Sequence, residues 1–164
     1  MNAQKSYILL VIFVAGLIGL YFFNKYRVAP SMKLDSLELV DETGKEFRLS
    51  ATAGKKRIIS FYASWCGDCL REFKALNTIK EKELGDVDVI AITDEPIEKM
   101  ISFKEKKQYP FQFLKLRKAF SDIQIFSIPV VYIVNEKNET VYEHVGFVDW
   151  TDPSTLNYLK TLLH

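Results

Sequence analysis

The sequence predicts an α/β fold, a sandwich of helices around a mixed sheet, and three observations carry that prediction. Apolar runs of strand length alternate with segments of helical periodicity through most of the chain. The only two cysteines, Cys66 and Cys69, fall where one such strand gives way to a helix. A separate uncharged run, Tyr7 to Phe23, precedes all of this at the N-terminus.

Taken in order, Tyr7 to Phe23 contains neither charge nor proline, and its 17 residues meet the lower limit of about 17–25 for a membrane-spanning helix. Tyr7, Tyr21 and Tyr26 flank it as an interfacial belt does. A cleaved signal peptide would need a small-residue cleavage site after the run. The segment there is Asn24-Lys25-Tyr26-Arg27-Val28-Ala29-Pro30, with Arg27 just before and Pro30 just after the one candidate position. The reading is therefore an uncleaved anchor over residues 7–26, with a short tail at 1–6, a linker at 27–33 and one domain at 34–164. Ala15 and Gly19 form a small-xxx-small pair of the kind found in helix dimers.

Leu37 to Val40, the turn Asp41-Glu42-Thr43-Gly44 and Lys45 to Leu49 read as a β-hairpin. Arg57 to Tyr62 is a short apolar strand, after which Leu70, Phe73, Leu76 and Ile79 recur at helical spacing among charged residues. Val87 to Thr93 is a second strand, and Asp94-Glu95-Pro96 opens a helix with Ile97, Met100 and Ile101 on one face. Phe111, Phe113, Phe120 and Phe126 are expected in the core. Val130 to Val134 and Val141 to Val145 form a hairpin around residues 135–139. Asp152 caps the last helix, Pro153 lies in its first turn, and Leu156, Leu159 and Leu163 face inward.

Charge is nearly balanced, 22 Lys and Arg against 21 Asp and Glu, and no basic stripe suggests nucleic acid. The run Lys104-Glu105-Lys106-Lys107 reads as the wet face of a helix.

The cysteine spacing points to redox chemistry. At a helix N-terminus the free N–H groups and the helix dipole favour thiolate over thiol, lowering a cysteine pKa from ~8.5 to roughly 3.5–7.5. Cys66 is thus the expected nucleophile, and Cys69, one turn further in, the resolving thiol. A structural zinc site would need two more ligands, and the chain offers only His144 and His164 as histidines. A purely structural disulfide across so short a loop would remove little chain entropy. No cofactor is expected.

The segment Phe61-Tyr62-Ala63-Ser64-Trp65-Cys66-Gly67-Asp68-Cys69 resembles the active site of thioredoxin-like proteins, and Ile128-Pro129-Val130-Val131-Tyr132-Ile133 resembles their cis-proline loop. The leading hairpin and the strand–helix insertion around Val87 to Tyr109 make the chain similar to the TlpA-like thiol-disulfide oxidoreductases. That resemblance implies a thioredoxin-like sandwich with an N-terminal β-hairpin and a strand–helix insertion, preceded by one transmembrane helix. It implies that Ile128 and Pro129 face the cysteines and dock substrate backbone, and that Trp65 covers the disulfide and contributes to docking. Gly67 and Asp68 complete the motif. It also implies client proteins with disulfides, a membrane or soluble thiol electron donor, and a single-pass bacterial inner-membrane protein whose domain faces the periplasm. Flanking charge argues otherwise: Lys5 lies on one side of the span and Lys25, Arg27 and Lys33 on the other, so the positive-inside rule alone would keep the domain in the cytoplasm. The reading here follows the resemblance.

Two departures from thioredoxin bear on chemistry. Ser60 stands where thioredoxin carries a buried carboxylate that helps deprotonate the resolving cysteine, so the base is unassigned, with Glu72, Asp94 and Glu95 as candidates and solvated surface charge as their default role. Asp68 beside the thiols opposes thiolate formation, while Arg71 and Lys74 favour it. Gly146 marks either a bulge or a close backbone approach. Trp150 is expected to pack, and His144 to sit in a strand away from the cysteines. The leading function is a membrane-tethered reductase of client disulfides, with a role in cytochrome c maturation implied by the resemblance alone. The alternatives are a peroxidase on the related peroxiredoxin fold, which lacks its Pro-x-x-x-Thr-x-x-Cys pattern here, and a copper-delivery module, which uses a longer cysteine spacing.

Overall fold

Apolar side chains alternate in and out along the strands and force the sheet to be covered on both sides. In the computed structural model, which describes residues 3–163, that sheet has seven strands in the order β2-β1-β5-β4-β3-β6-β7. The strands are β1 Leu39–Val40, β2 Glu46–Phe47, β3 Arg57–Phe61, β4 Asp88–Thr93, β5 Gln112–Leu116, β6 Val130–Val134 and β7 Thr140–Val145. The helices are α1 Ala3–Arg27, α2 Gly67–Glu83, α3 Ile97–Lys107 and α4 Pro153–Leu163. Residues 1–2 and His164 lie outside the described residues, as do the side chains of residues 3–6, Tyr26 and Arg27.

The central strands β3, β4 and β5 are parallel, and β6 joins β3 antiparallel. On one face Ile58, Tyr62, Val89, Ala91, Phe113, Val131 and Ile133 meet α2, α3 and α4. On the other, Ile59, Phe61, Ile90, Ile92, Leu114, Leu116, Val130 and Tyr132 meet short 3-10 turns and the segment from Ala29 to Leu37. The single-residue offset between the two sets follows from the period of two along a strand. Fully burying each such Val, Leu, Ile or Phe is worth roughly 1.5–3 kcal/mol, so the two clusters together hold the sheet.

Three elements differ from expectation. The leading hairpin is reduced to two residues per strand, because Leu49 turns into a 3-10 segment, Leu49–Thr52, and buries there. The sequence reading placed core phenylalanines near Phe111 and Phe113 but no strand; β5 runs through them and pairs with both β4 and β1. Phe126, expected in the core, is 40% exposed, and Lys25 Nζ lies 4.5 Å from its ring centroid.

α1 begins before the apolar run and is exposed along its apolar length, with Tyr7–Lys25 long and apolar enough to cross a membrane. The chain then docks at once: Ala29 is buried in the second cluster, and Pro30 O accepts a 2.7 Å hydrogen bond from Tyr132 Oη. At the start of β3, buried Arg57 donates to Leu49 O and Thr52 Oγ1, both at 3.1 Å, and to Asn138 Oδ1, whose amide in turn donates to Asp35.

Candidate active site

β3 ends at Phe61, and Tyr62 to Trp65 carry the chain over the sheet edge into α2. Cys66 is the N-cap of α2, with extended backbone, and its Sγ accepts the Cys69 N–H at 3.2 Å. A donor of this kind, added to the helix dipole, favours negative charge on the Cys66 sulfur once the pair is reduced. Here the pair is oxidised: Cys66 and Cys69 are joined as a disulfide with Cα atoms 5.3 Å apart. Cys66 is 7% exposed and Cys69 fully buried, so an incoming sulfur meets Cys66 first.

The peptide bond Ile128–Pro129 is cis, and Ile128 O lies 3.9 Å from Cys66 Sγ. The proline loop expected to oppose the cysteines is therefore beside them. Gly146, with φ of +104°, closes the other side: its N–H donates to Pro129 O at 2.8 Å. That φ is one L side chains rarely adopt, which accounts for glycine here. Trp65, next to Cys66 in the chain, is 74% exposed. Gly67 opens α2 on the surface, and Asp68 is paired with Arg71 at 3.0 Å in solvent, so the two opposing influences expected on the thiols sit against each other. Arg71 also stacks over Phe147, 4.1 Å from its centroid. Trp150 is buried against Tyr142, and His144, in β7, stacks on the same tyrosine.

The carboxylates correct the sequence reading. Glu72 and Glu95 are not solvated surface charges; both are buried. Glu72 stands one turn after Cys69 on the inner stripe of α2, among Phe73, Leu76 and Ile79. Its oxygens accept from Ser60 Oγ at 3.0 Å and from Val148 N at 3.4 Å. Burial pushes its carboxyl up to about 8, against the smaller pull of these two donors. Ser60 thus meets Glu72, and the polar residue in the strand and the acid in the helix form one hydrogen-bonded unit. The signal for it was present: Glu72 falls on the stripe of Cys69, Phe73, Leu76 and Ile79, a position that a solvated acid would avoid.

Glu95 has a different task. It accepts from both the backbone N–H and the hydroxyl of Ser64, two residues before Cys66. It therefore ties the start of the insertion helix to the active-site turn across 31 positions of sequence. Removing it leaves the half-buried Ser64 N–H without this partner, which costs about 1–3 kcal/mol. Glu95→Ala is expected to lose that much in urea denaturation, with Glu95→Gln recovering at least half. Equal loss in both variants would show that charge rather than acceptor geometry matters. Asp94, half-buried, accepts from Phe120 N at 3.0 Å and anchors the opposite side of the sheet edge.

The chain is similar to several known proteins. The thioredoxin-like protein YneN of Bacillus subtilis is 26% identical over 153 residues, covering 84% of this chain and 87% of its own. The thiol-disulfide oxidoreductase ResA of Bacillus thuringiensis is 22% identical over 166 residues, covering 94% of each. Among solved structures, a thioredoxin-like protein from Porphyromonas gingivalis superposes with a TM-score of 0.63 at 25% identity, over 79% of this chain and 88% of that one. The profile of the Redoxin family matches residues 27–160, which takes in the sheet, the Cys66-Cys69 turn and the cis-proline loop, and the chain belongs to that family.

Proposed function

We propose that this thiol-disulfide oxidoreductase reduces the disulfides of client proteins at an extracytoplasmic membrane surface, with Cys66 as nucleophile and Cys69 as resolving thiol. The observation that carries the reading is the asymmetry of the pair: Cys66 caps the helix, receives an N–H and borders the cis-proline loop, while Cys69 is sealed beside Glu72.

In the reduced protein the Cys66 thiolate attacks one sulfur of a client disulfide. A bond forms between Cys66 Sγ and that sulfur, and the client's other sulfur leaves as a thiolate that takes a proton from solvent. Cys69 then loses its proton and attacks Cys66 Sγ, releasing the second client thiolate and leaving the Cys66–Cys69 disulfide. Two electrons pass to the client, and a thiol donor must return them. Ile128 O lies 3.9 Å from Cys66 Sγ, and Trp65, Ile128 and Pro129 are the groups a client segment would meet. Glu72 supports the second step: the burial that holds its carboxyl mostly neutral near pH 7 also disfavours a Cys69 thiolate, and the ionised fraction of Glu72, which grows as pH rises toward about 8, is the group to take the Cys69 proton.

The test is a trap. Cys69→Ala, expressed in native membranes, should accumulate mixed disulfides through Cys66, whose partners are identified by mass spectrometry. Extracytoplasmic thiol proteins are the expected captures. Cytoplasmic partners would reverse the orientation in favour of the flanking charges, and the absence of adducts on an alkylatable Cys66 would remove protein disulfide exchange as the function.

A further inference from the structure

Beside the active-site turn, α3 presents Lys99, Ser102, Phe103, Lys106 and Lys107 along one helical face, at the spacing i, i+3, i+4, i+7, i+8. Together with Ser64 and Leu70 these residues line a groove of about 380 Å³. Leu70 and Phe103 give it an apolar floor, and three ammonium groups line its rim. The helix's own acids lie elsewhere: Glu98 and Glu105 do not line the groove, and buried Glu95 approaches Lys99 only at 3.9 Å. Lys104, off this face, is paired with Glu42. Among the described residues neither Lys106 nor Lys107 has a carboxylate partner. Placing cations in the last turn suits the helix dipole, but that accounts for Lys106 and Lys107 and not for Lys99 in the first turn.

The groove adjoins the active-site turn. Ser64 lies two residues before Cys66 and Leu70 one residue after Cys69, while the bond from Ser64 to Glu95 fixes α3 against this turn. A segment lying across Cys66 toward Trp65 would continue into it. From this juxtaposition we propose that the α3 groove selects client segments that carry acidic residues flanking the cysteine to be reduced. The inference rests on the disulfide-reductase reading and names the chemistry of the client. Rim charges of this sort act mainly through the encounter rate and its salt dependence.

The experiment uses the full-length reduced protein in detergent micelles and two disulfide peptides that differ only in flanking residues, glutamates or lysines, together with an uncharged small disulfide. The wild type should reduce the acidic peptide at least about fivefold faster than the basic one at an ionic strength of about 0.05 M, a preference that shrinks toward unity at about 0.5 M. Lys99→Gln, Lys106→Glu and Lys107→Glu combined should invert the preference and leave the rate with the uncharged disulfide unchanged. Equal rates with the two peptides in the wild type, or an unaltered preference in the triple variant, would overturn the inference. Failure of the wild type to reduce even the uncharged disulfide would remove the reductase reading and the inference with it. The uncharged substrate also reports whether the triple variant has folded.

Discussion

Cys66→Ser is expected to abolish catalysed disulfide reduction, a loss of more than about a thousandfold, because the remaining thiol, Cys69, is fully buried and out of reach of a client disulfide. Cys69→Ser should behave differently. Its first step keeps the wild-type rate, since the Cys69 backbone N–H that faces Cys66 Sγ is unchanged. It then stops at one equivalent of mixed disulfide. The two variants are compared by stopped-flow reduction of a fluorescent peptide disulfide, the first giving no burst and the second a stoichiometric burst without turnover. A burst from Cys66→Ser and none from Cys69→Ser would exchange the two roles and contradict the argument from burial and capping.

Glu72→Gln is expected to make the protein more stable in mild alkali and to flatten its stability between pH 4.5 and 8. The wild-type carboxyl is raised in the folded state to about 8, against about 4.3 in an unfolded chain. Between those values the folded protein binds the proton more tightly than the unfolded one. The stability from a neutral Glu72 is therefore complete below about pH 4.3 and is lost as pH rises through about 8, roughly 5 kcal/mol in all. A neutral amide of the same shape escapes that loss, less about 1 kcal/mol for placing its N–H groups among acceptors. Urea denaturation at pH 4.5 and pH 8 measures the difference, and parallel pH dependence in both proteins would show that Glu72 is not the titrating group. The same variant should lose the inflection near pH 8 in the rate of Cys69 attack on a preformed mixed disulfide, a readout that stability alone does not move.

Much of the fold was legible because its signals are local. Odd and even positions of β3, β4 and β6 sort onto opposite faces as their alternation requires, Cys66 lies at a helix start, and Asp152-Pro153 opens α4. β5 was hidden because its side chains pack on both faces of the sheet and the run Gln112–Leu116 is too short for periodicity to separate strand from loop. The carboxylates were misjudged for another reason. Glu72 is buried by a contact with Val148, 76 positions away, and Glu95 by Ser64, 31 positions earlier. Neighbouring Arg71 and Lys74 gave Glu72 the look of a wet helix face, while closure from the C-terminal loop decided otherwise. Phe126 was assigned to the core by composition, whereas its surroundings are set by where α1 ends.

The early docking of Ala29 and Pro30 bears on how far this domain can roam. Only three positions separate Lys25, the end of the apolar span, from buried Ala29, and Val28 N still bonds to Asn24 O at 3.2 Å within that interval. A flexible tether of n residues lets its cargo explore roughly 5–6 Å × √n, so three partly helical residues grant almost no excursion. In the membrane-tethered reading proposed above, the dithiol would work at a nearly constant height above the bilayer, in the manner of a fixed post. Disulfides held at that height meet it at high effective concentration, and those far from the surface must travel to it.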